Sequence, residues 1–300
     1  MLDNAHAASE RCVISPTKAS SEAAPALRTS TSSVLRWMGS KRRLVESIVT
    51  RLPCAAEVNT YYEPFLGGAS VFLRYAPERA VLGDSNAELI NAWAQIKLDP
   101  ARLWRSVRAI PVNSDTYYSV RATHQTERNP FKRAVQFVYL NRNCFNGVYR
   151  TNRKHHFNVP FGQNTGSLPS LDNFENCSRL LAGATLISGD FTSAVDGAGE
   201  GDVVYLDPPW PTVRANYGEY GYGPDIPVIA DIQQVVDSLT LRGADVYVSL
   251  PVEHSSEFKV GLRAEFALTY SVASRASHRR LTSEVLLVAG ERALRAAEIA

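Results

Sequence analysis

The stretch Val203-Val204-Tyr205-Leu206-Asp207-Pro208-Pro209-Trp210 decides the fold of this chain. A short run of β-branched, aromatic and aliphatic residues is followed by an acid, two prolines and a tryptophan. The run predicts a buried strand that ends in a rigid loop, because proline cannot continue a strand ladder or a helix. Open α/β sheets bind their ligands at the carboxyl ends of their strands. We therefore expect Asp207 and Trp210 to lie in a ligand site.

This loop suits the methylation of an exocyclic amine on a planar ring. The lone pair of such an amine is delocalised into the ring, which makes the nitrogen a poor nucleophile. The Asp207 carboxylate and the Pro208 carbonyl can each accept one N–H, which draws the nitrogen out of conjugation toward a methyl donor. Trp210 offers a face on which a flipped base stacks. The plainer interpretation is a proline-rich turn that carries an aromatic residue by chance.

Composition indicates an ordinary soluble globular chain, with 45% apolar and 21% charged residues among 300. The net charge is only +2, but residues 128–171 contain seven Lys and Arg residues and no Asp or Glu. So long a span without acids favours a polyanionic partner over a merely solvated basic face. The four cysteines form no metal-type pair, and no secretory signal or membrane-spanning run is present. We expect free thiols in a reducing cytoplasm.

Two upstream segments predict a site for a nucleoside-bearing cofactor. Residues 60–72 have the pattern of a strand, a turn at Gly67-Gly68 and a helix, without the Gly-Lys-Ser/Thr of a nucleotide-phosphate loop. A second strand ends at Asp84, where a ribose-binding carboxylate belongs. The alternative is a simple glycine turn and a helix-capping Asp. Lys41 begins a further helix, where the macrodipole disfavours a cation, so we expect it to meet a carboxylate or a phosphate unless it is simply a surface lysine.

A helical region separates the second and third predicted strands. Residues 141–153 then mix amides, arginines and aromatics around Asn146-Gly147, a dipeptide typical of hairpin turns. Asn and Arg contact base edges and an aromatic can wedge into a base step, so the segment predicts a DNA-contacting hairpin, with a polar surface hairpin as the alternative. Helices are predicted at 86–96, 101–110, 114–124, 130–140 and 228–241, and later strands at 184–188, 244–250, 266–273 and 284–288. Arg275, Arg279 and Arg280, between the last two strands, are candidates for phosphate contacts.

Taken together, the chain resembles the Dam family of DNA adenine-N6 methyltransferases over nearly all of residues 34–290. Residues 37–41 resemble the first cofactor motif of that family, and residues 63–68 its S-adenosylmethionine loop. Asp84 resembles its ribose acid, and residues 207–210 its catalytic tetrapeptide. The basic hairpin and residues 157–162 resemble its target-recognition region.

The resemblance implies an α/β fold with a Rossmann-like seven-stranded S-adenosylmethionine-dependent methyltransferase sheet, its last strand antiparallel, and an inserted helical and hairpin target-recognition domain. Composition and pattern along the chain predict a disordered tail (1–33), a first catalytic part (34–98), the recognition domain (99–178) and a second catalytic part (179–300). The resemblance implies methyl transfer from S-adenosylmethionine to adenine N6 in duplex DNA by base flipping, at a GATC-like site. The expected partner is double-stranded DNA, with no membrane and no metal, and a monomer is favoured.

The implied site residues form three groups. The catalytic residues are Asp207, Pro208, Pro209 and Trp210. The cofactor-binding residues are Trp37, Lys41, Glu63, Phe65, Gly67, Gly68, Asp84, Asp190, Phe191 and again Asp207. The DNA-binding residues are Arg142, Phe145 as the wedge, Asn146, Arg150 as the guanine contact, Asn152, Arg153 and Pro160.

Three positions depart from the family pattern. Ala69 stands where many relatives have a further glycine, Trp210 replaces the commoner Tyr, and residues 249–252 lack an Asn expected after that strand. Two other functions stay open at this point: amine methylation of an RNA base or a protein amide, and DNA binding by an inactive protein of the same fold. The basic hairpin counts against a protein substrate. The intact Asp207 and Gly67-Gly68 count against an inactive protein.

Overall fold

The computed structural model describes residues 31–152, 154, 156–163, 167–210, 228–259, 262–266 (backbone only) and 284–294. Some residues discussed above lie outside these ranges: nearly all of the expected tail, Arg153, and the arginines Arg275, Arg279 and Arg280.

Within the described residues, seven strands form one sheet in the order β3-β2-β1-β4-β5-β7-β6. The pairs among β1 to β5 are parallel, whereas β7 runs antiparallel to both β5 and β6. The strands are Tyr61–Glu63 (β1), Ala80–Asp84 (β2), Ala184–Ser188 (β3), Val203–Leu206 (β4), Asp245–Pro251 (β5), Leu262–Phe266 (β6) and Glu284–Ala289 (β7). The predicted α/β fold with an antiparallel last strand is therefore confirmed. Of the strand expected at 266–273, the observed β6 includes only residue 266, and the remainder lies outside the described residues.

Strand β4 is buried on both faces, which explains its continuous apolar sequence. Val203 and Tyr205 point into the core that holds most of the helices, and Val204 and Leu206 point into the smaller core on the opposite face. The helices are Val45–Val49 (α1), Ser70–Tyr75 (α2), Ala87–Leu98 (α3), Pro100–Arg108 (α4), Ser114–His124 (α5), Pro130–Asn143 (α6), Leu171–Leu181 (α7), Phe191–Val195 (α8) and Ile229–Leu241 (α9). Helices α8 and α9 cover the smaller core.

Helices α3 to α7 form the region between β2 and β3. Side-chain caps set several of their starts: Asn86, Asp99, Asn113, Asn129 and Ser170 each accept a backbone N–H of the following turn. Helix α6 packs against α3, α4 and α5, and the basic hairpin follows its C-terminal end. Because α3 also packs on β2 and β3, it connects α6 to the sheet.

The prediction that Asn146-Gly147 forms the hairpin turn is wrong. Residues 145–147 form a single 3-10 turn directly after α6, in which Asn146 has φ +55° and Gly147 has φ +67°. The hairpin arms run on from this turn and pair antiparallel, at Cys144 with Phe161 and at Thr151 with Phe157. Near the far end of the arms, the Asn152 N–H donates to the His156 carbonyl at 2.9 Å. Instead, Asn146 and Gly147 adopt left-handed conformations at the point where the chain leaves α6.

The tail was expected to end at residue 33, but Ser32 and Ser33 already contact the folded domain. The Ser32 backbone exchanges two hydrogen bonds with the Asn173 side chain of α7, and Ser33 is buried. Across the described ranges, no helix is both long and apolar enough to cross a membrane. The same ranges contain no cluster of His, Cys, Asp and Glu that could hold a metal ion.

Candidate active site

The carboxyl ends of β1 and β4 lie side by side, because the two strands are parallel neighbours in the sheet. Glu63 is the last residue of β1, and Asp207 directly follows β4. Strand β5 flanks β4 on the other side. The loop that begins at Asp207 therefore starts at the ligand-binding edge of the sheet, as the sequence predicted.

Lys41 forms an ion pair with Asp207. Its Nζ atom lies 2.7 Å from Asp207 Oδ1 and 3.6 Å from Glu284 Oε2. Lys41 is buried at the start of a 3-10 turn, and Glu284 is the first residue of β7. The prediction that this cation meets a carboxylate is confirmed. The sequence did not point to Glu284, because only the folded sheet brings the two ends of the chain together.

The three charges influence one another. Burial raises the pKa of Asp207, the Lys41 ammonium opposes this rise, and the resulting pKa is about 6. Burial alone would lower the pKa of Lys41, but the carboxylates of Asp207 and Glu284 outweigh burial and raise it. At neutral pH we therefore expect a charged Lys41 beside an ionised Asp207.

Glu63 has partners within the protein. Its Oε2 atom accepts a hydrogen bond from the Tyr61 hydroxyl at 2.8 Å and from the Phe72 N–H at 3.0 Å. Burial is the main reason that its pKa rises to about 8, and the nearby Asp207 adds to the rise. Glu63 thus ties β1 to α2 and is largely protonated at neutral pH. Its expected contact with the cofactor stays a prediction.

The glycine turn is tied to the end of β2. The Gly67 N–H donates to Asp84 Oδ2 at 3.0 Å, and the Asn86 N–H donates to Asp84 Oδ1 at 2.9 Å. Burial raises the pKa of Asp84 to about 6, against these two hydrogen bonds. Asp84 therefore fixes the glycine turn, whatever else it binds. Ala69 adopts φ +56°, the left-handed conformation that glycine takes without strain, so alanine fits here at some conformational cost.

Two aromatic rings lie near this turn. Phe65, just after β1, stacks on Phe191 with a centroid distance of 5.1 Å and an interplanar angle of 26°. Asp190 is exposed and caps α8, accepting the Thr192 N–H at 2.9 Å. An aromatic pair, a glycine turn and carboxylates at one edge of a parallel sheet fit a purine nucleoside. These residues therefore suit S-adenosylmethionine.

Trp37 connects the glycine turn to the hairpin. A Cβ atom on Gly67 would lie 2.7 Å from Trp37 Cδ1, so the indole packs directly on the turn. On the hairpin side, Trp37 stacks with Tyr149 at a centroid distance of 5.5 Å. The backbone of the neighbouring Arg36 exchanges two hydrogen bonds with the buried Asn141 side chain of α6. The first cofactor motif therefore packs against both α6 and the basic hairpin.

The predicted DNA-contacting side chains differ in their exposure and partners. Phe145 is 53% exposed, and with Asn146 it lines a surface cavity of about 340 Å³. Arg150 Nε donates to Asn158 Oδ1 at 2.9 Å across the hairpin. Asn152 is occupied within the hairpin, where its Oδ1 accepts the N–H groups of residues 154 and 156. The exposed Pro160 supplies the carbonyl that accepts the Phe145 N–H at 2.9 Å.

Arg142 belongs to an arginine cluster that the sequence did not reveal. Burial, together with the charges of Arg36 and Arg42, lowers the pKa of Arg142 to about 10. Within the described residues, Arg36 Nη1 and Arg142 Nε are buried and lack a hydrogen-bond partner. Neighbouring guanidinium groups with unused donors suit an anion such as a phosphodiester. By contrast, Arg133, in the first turn of α6, pairs with Glu88.

Trp210 contacts the C-terminal end of β5, where its Nε1 donates a hydrogen bond to the Ser249 carbonyl at 3.1 Å. Pro208, between Asp207 and Pro209, is buried. The four residues of the predicted catalytic loop therefore lie together at the edge of the sheet, with the side chain of Trp210 directed toward β5.

The family model described as D12 class N6 adenine-specific DNA methyltransferase matches residues 37–245 of this chain. Because the match covers more than half of the chain, the protein belongs to this family of adenine-specific DNA methyltransferases, and the resemblance to Dam-like enzymes is confirmed.

Curated relatives agree with this assignment. The type II methyltransferase M1.LlaDCHI of Lactococcus lactis subsp. cremoris is 36% identical over 184 residues, which cover 58% of this chain and 64% of that enzyme. The DNA adenine methylase of Serratia marcescens is 33% identical over 205 residues, covering 67% of this chain and 75% of that enzyme. The DNA adenine methylase of Haemophilus influenzae is 32% identical over 193 residues, covering 63% and 67% respectively.

Proposed function

We propose that this protein transfers a methyl group from S-adenosylmethionine to N6 of an adenine that it flips out of duplex DNA. The observation that carries this proposal is the position of Asp207. It lies at the carboxyl edge of the sheet, 2.7 Å from a buried lysine and beside the strand that leads into the glycine turn. Membership of the family supports the choice of adenine and DNA.

In this mechanism, Asp207 and the Pro208 carbonyl hold the two hydrogens of the N6 amine. Lys41 contacts Asp207 Oδ1, so we assign Oδ2 to the substrate amine. Holding both hydrogens directs the nitrogen lone pair out of the ring plane, and the bound cofactor supplies the methyl group. The methylated amine then loses one proton, which we assign to Asp207, whose pKa is about 6.

The carboxyl groups of Asp207 and Glu284 both lie within 4 Å of the Lys41 ammonium at the edge of the sheet where the methyl donor is expected. That donor is a sulfonium cation, and a carboxylate attracts a cation strongly where water is excluded. Phe65, Phe191 and Asp190 are assigned to its adenine, and Asp84 to its ribose.

The hairpin and the arginine cluster are assigned to the DNA. The exposed Phe145 suits a wedge that fills the space left by the flipped base. Arg150, held in place by Asn158, suits a bidentate contact with guanine, as a GATC-like site requires. Arg142 and its neighbours suit the phosphate backbone.

The test is methyl transfer from labelled S-adenosylmethionine to unmethylated genomic DNA, followed by nucleoside analysis of the product. N6-methyladenine is expected from the wild-type protein. The variant Asp207→Asn should lose at least about a hundredfold in rate while retaining DNA affinity. The variant Asp237→Asn, which changes an exposed acid on α9, is the matched control and should keep wild-type activity.

Other outcomes would overturn the proposal. Transfer only to RNA or to protein amides would reassign the substrate. Binding of DNA without binding of S-adenosylmethionine, measured by calorimetry, would identify a DNA-binding protein without this catalytic activity.

A further inference from the structure

Trp210 is held by three contacts that do not involve the catalytic acid. Its Nε1 donates to the Ser249 carbonyl at 3.1 Å. Its ring stacks on His254 with a centroid distance of 5.7 Å and an interplanar angle of 21°, and it meets Phe258 edge-on at 5.9 Å and 78°. A hydrogen bond fixes the rotation of the indole in its plane, and the two ring contacts fix the plane itself.

His254 is in turn fixed by its own short helix. The 3-10 segment Val252–Glu257 follows β5, and His254 Nδ1 lies 2.8 Å from Glu257 Oε1 within it. Phe258, at the end of this segment, is buried in the core below. Glu257 therefore holds the edge of the imidazole, and one face of the imidazole lies against the indole of Trp210.

This arrangement joins two departures from the family pattern. Trp210 stands in place of the commoner Tyr, and residues 249–252 lack the expected Asn. A tyrosine hydroxyl lies at the tip of its ring and cannot reproduce the indole N–H that donates to Ser249. The altered segment also leads, through Pro251, into the 3-10 turn that supplies His254.

We propose that His254 is a positioning residue of the target-base pocket: it covers one face of Trp210 and holds the indole so that the flipped base stacks on the opposite face. The inference rests on the proposed function, because it requires a base to enter this pocket. His254 acts through Trp210 and does not itself contact the reacting amine. In this role His254 holds Trp210 through the stacking of its ring and not through its charge.

The experiment measures two quantities: the single-turnover rate of methylation of a duplex with adenine at the target position, and the fluorescence of a second duplex that carries 2-aminopurine there, an analogue that lacks the 6-amine and reports only flipping and stacking. The variant His254→Ala should lower the rate roughly threefold to tenfold and weaken the quenching of the flipped 2-aminopurine, because the indole loses its support. The variant His254→Phe should restore both, since it keeps a ring on the same face. The variant Glu253→Ala, an exposed neighbour in the same turn, is the control and should match the wild type.

A further variant tests the indole N–H. Trp210→Tyr introduces the commoner residue of the family, yet should be slower than the wild type because it loses the hydrogen bond to Ser249. Cofactor affinity should not change in any of these variants. Thermal melts of each variant separate a local effect from a loss of folding.

Two results would overturn the inference while the proposed function stands. One is a wild-type rate and wild-type quenching in His254→Ala. The other is a Trp210→Tyr variant as fast as the wild type. If the wild-type protein itself formed no N6-methyladenine, the proposed function and this inference would fall together.

Discussion

Nζ of Lys41 lies 2.7 Å from Oδ1 of Asp207 and 3.6 Å from Oε2 of Glu284, so one buried ammonium group serves two carboxylates. The shorter contact is with the acid that the mechanism uses. Lys41 and Glu284 act on Asp207 in opposite ways: the Lys41 ammonium lowers the pKa of Asp207, whereas the charge of Glu284 raises it. Substitutions at the two partners should therefore have opposite effects.

Lys41→Met should move the acidic limb of the pH–rate profile to higher pH. In the proposed mechanism the ionised Asp207 carboxylate accepts the proton, so the rate should rise as pH passes through the pKa of Asp207, about 6 in the wild type. Without Lys41 that pKa rises further, and the rate at pH 7 should drop about tenfold or more. Single-turnover rates measured from pH 5 to pH 9 test this shift.

Glu284→Gln is the matched comparison and should move the same limb to lower pH, because a negative neighbour of Asp207 is removed. Asp84 also has a pKa of about 6, but it contacts the glycine turn and Asn86 rather than Lys41. If both substitutions shifted the limb in the same direction, Asp207 would not be the titrating group.

Glu63→Gln should flatten the dependence of stability on pH. Because the pKa of Glu63 is raised to about 8, the folded protein keeps a proton that the unfolded chain releases near its ordinary pKa. The stabilisation from this proton is complete at acidic pH and is lost as pH rises toward 8. Glutamine can keep the hydrogen bonds to Tyr61 and Phe72 without ionising.

The variant should therefore be more stable than the wild type at pH 8, by on the order of 1 kcal/mol or more, and more nearly equal to it at pH 5. Urea unfolding at several pH values measures this difference. The contributions of Asp84 and Asp207 should persist in the variant, because both titrate near pH 6. A parallel loss of stability at all pH values would indicate that only packing had changed.

Local sequence predicted the elements whose causes are local. Helix α5 and strand β3 match their expected ranges, because caps and apolar periodicity lie within the segments themselves. Asp207 was predicted at a strand end for the same reason: the strand and its prolines are contiguous. The pairing of Lys41 with a carboxylate followed from an unfavourable charge at a helix start.

The sequence did not predict the features of the site that depend on contacts between residues far apart in the chain. Glu284 and His254 reach the site from β7 and from the turn after β5, and neither has a local signal of function. The Asn146-Gly147 dipeptide has the conformations of a tight turn, but packing of Gly147 against Arg36 places that turn at the end of α6. The two arms of the hairpin are instead joined beyond Asn152 and His156, which share a backbone hydrogen bond.

Arg150→Ala and Arg142→Gln should affect DNA binding differently. Loss of Arg150 should relax sequence preference at one base pair, by about 1–3 kcal/mol of discrimination. Loss of Arg142 should weaken binding on all sequences and reduce the slope of log affinity against log salt by about 1. Binding titrations on matched GATC and altered duplexes at several salt concentrations distinguish the two, and equal losses on every duplex would make Arg150 a phosphate contact.

Gly67→Ala should impair cofactor binding, and Gly243→Ala, in the exposed turn before β5, provides its control. Both glycines have positive φ, +46° and +86°, so alanine strains the backbone at each, by about 1 kcal/mol. At Gly243 the new Cβ would lie 3.2 Å from Cβ of the exposed Glu200, whereas at Gly67 it would lie 2.7 Å from Trp37 Cδ1. The difference between the two variants therefore separates displacement of the indole from backbone strain.

Because Trp37 is a predicted cofactor contact and stacks on Tyr149, its displacement should weaken S-adenosylmethionine binding by about tenfold or more and also loosen the hairpin. Calorimetric titration with S-adenosylmethionine, together with urea unfolding, measures both effects. Gly243→Ala should lose stability but keep cofactor affinity. If the two variants bound the cofactor equally well, Trp37 would have only a packing role, and the link from the cofactor motif to the hairpin would be structural rather than functional.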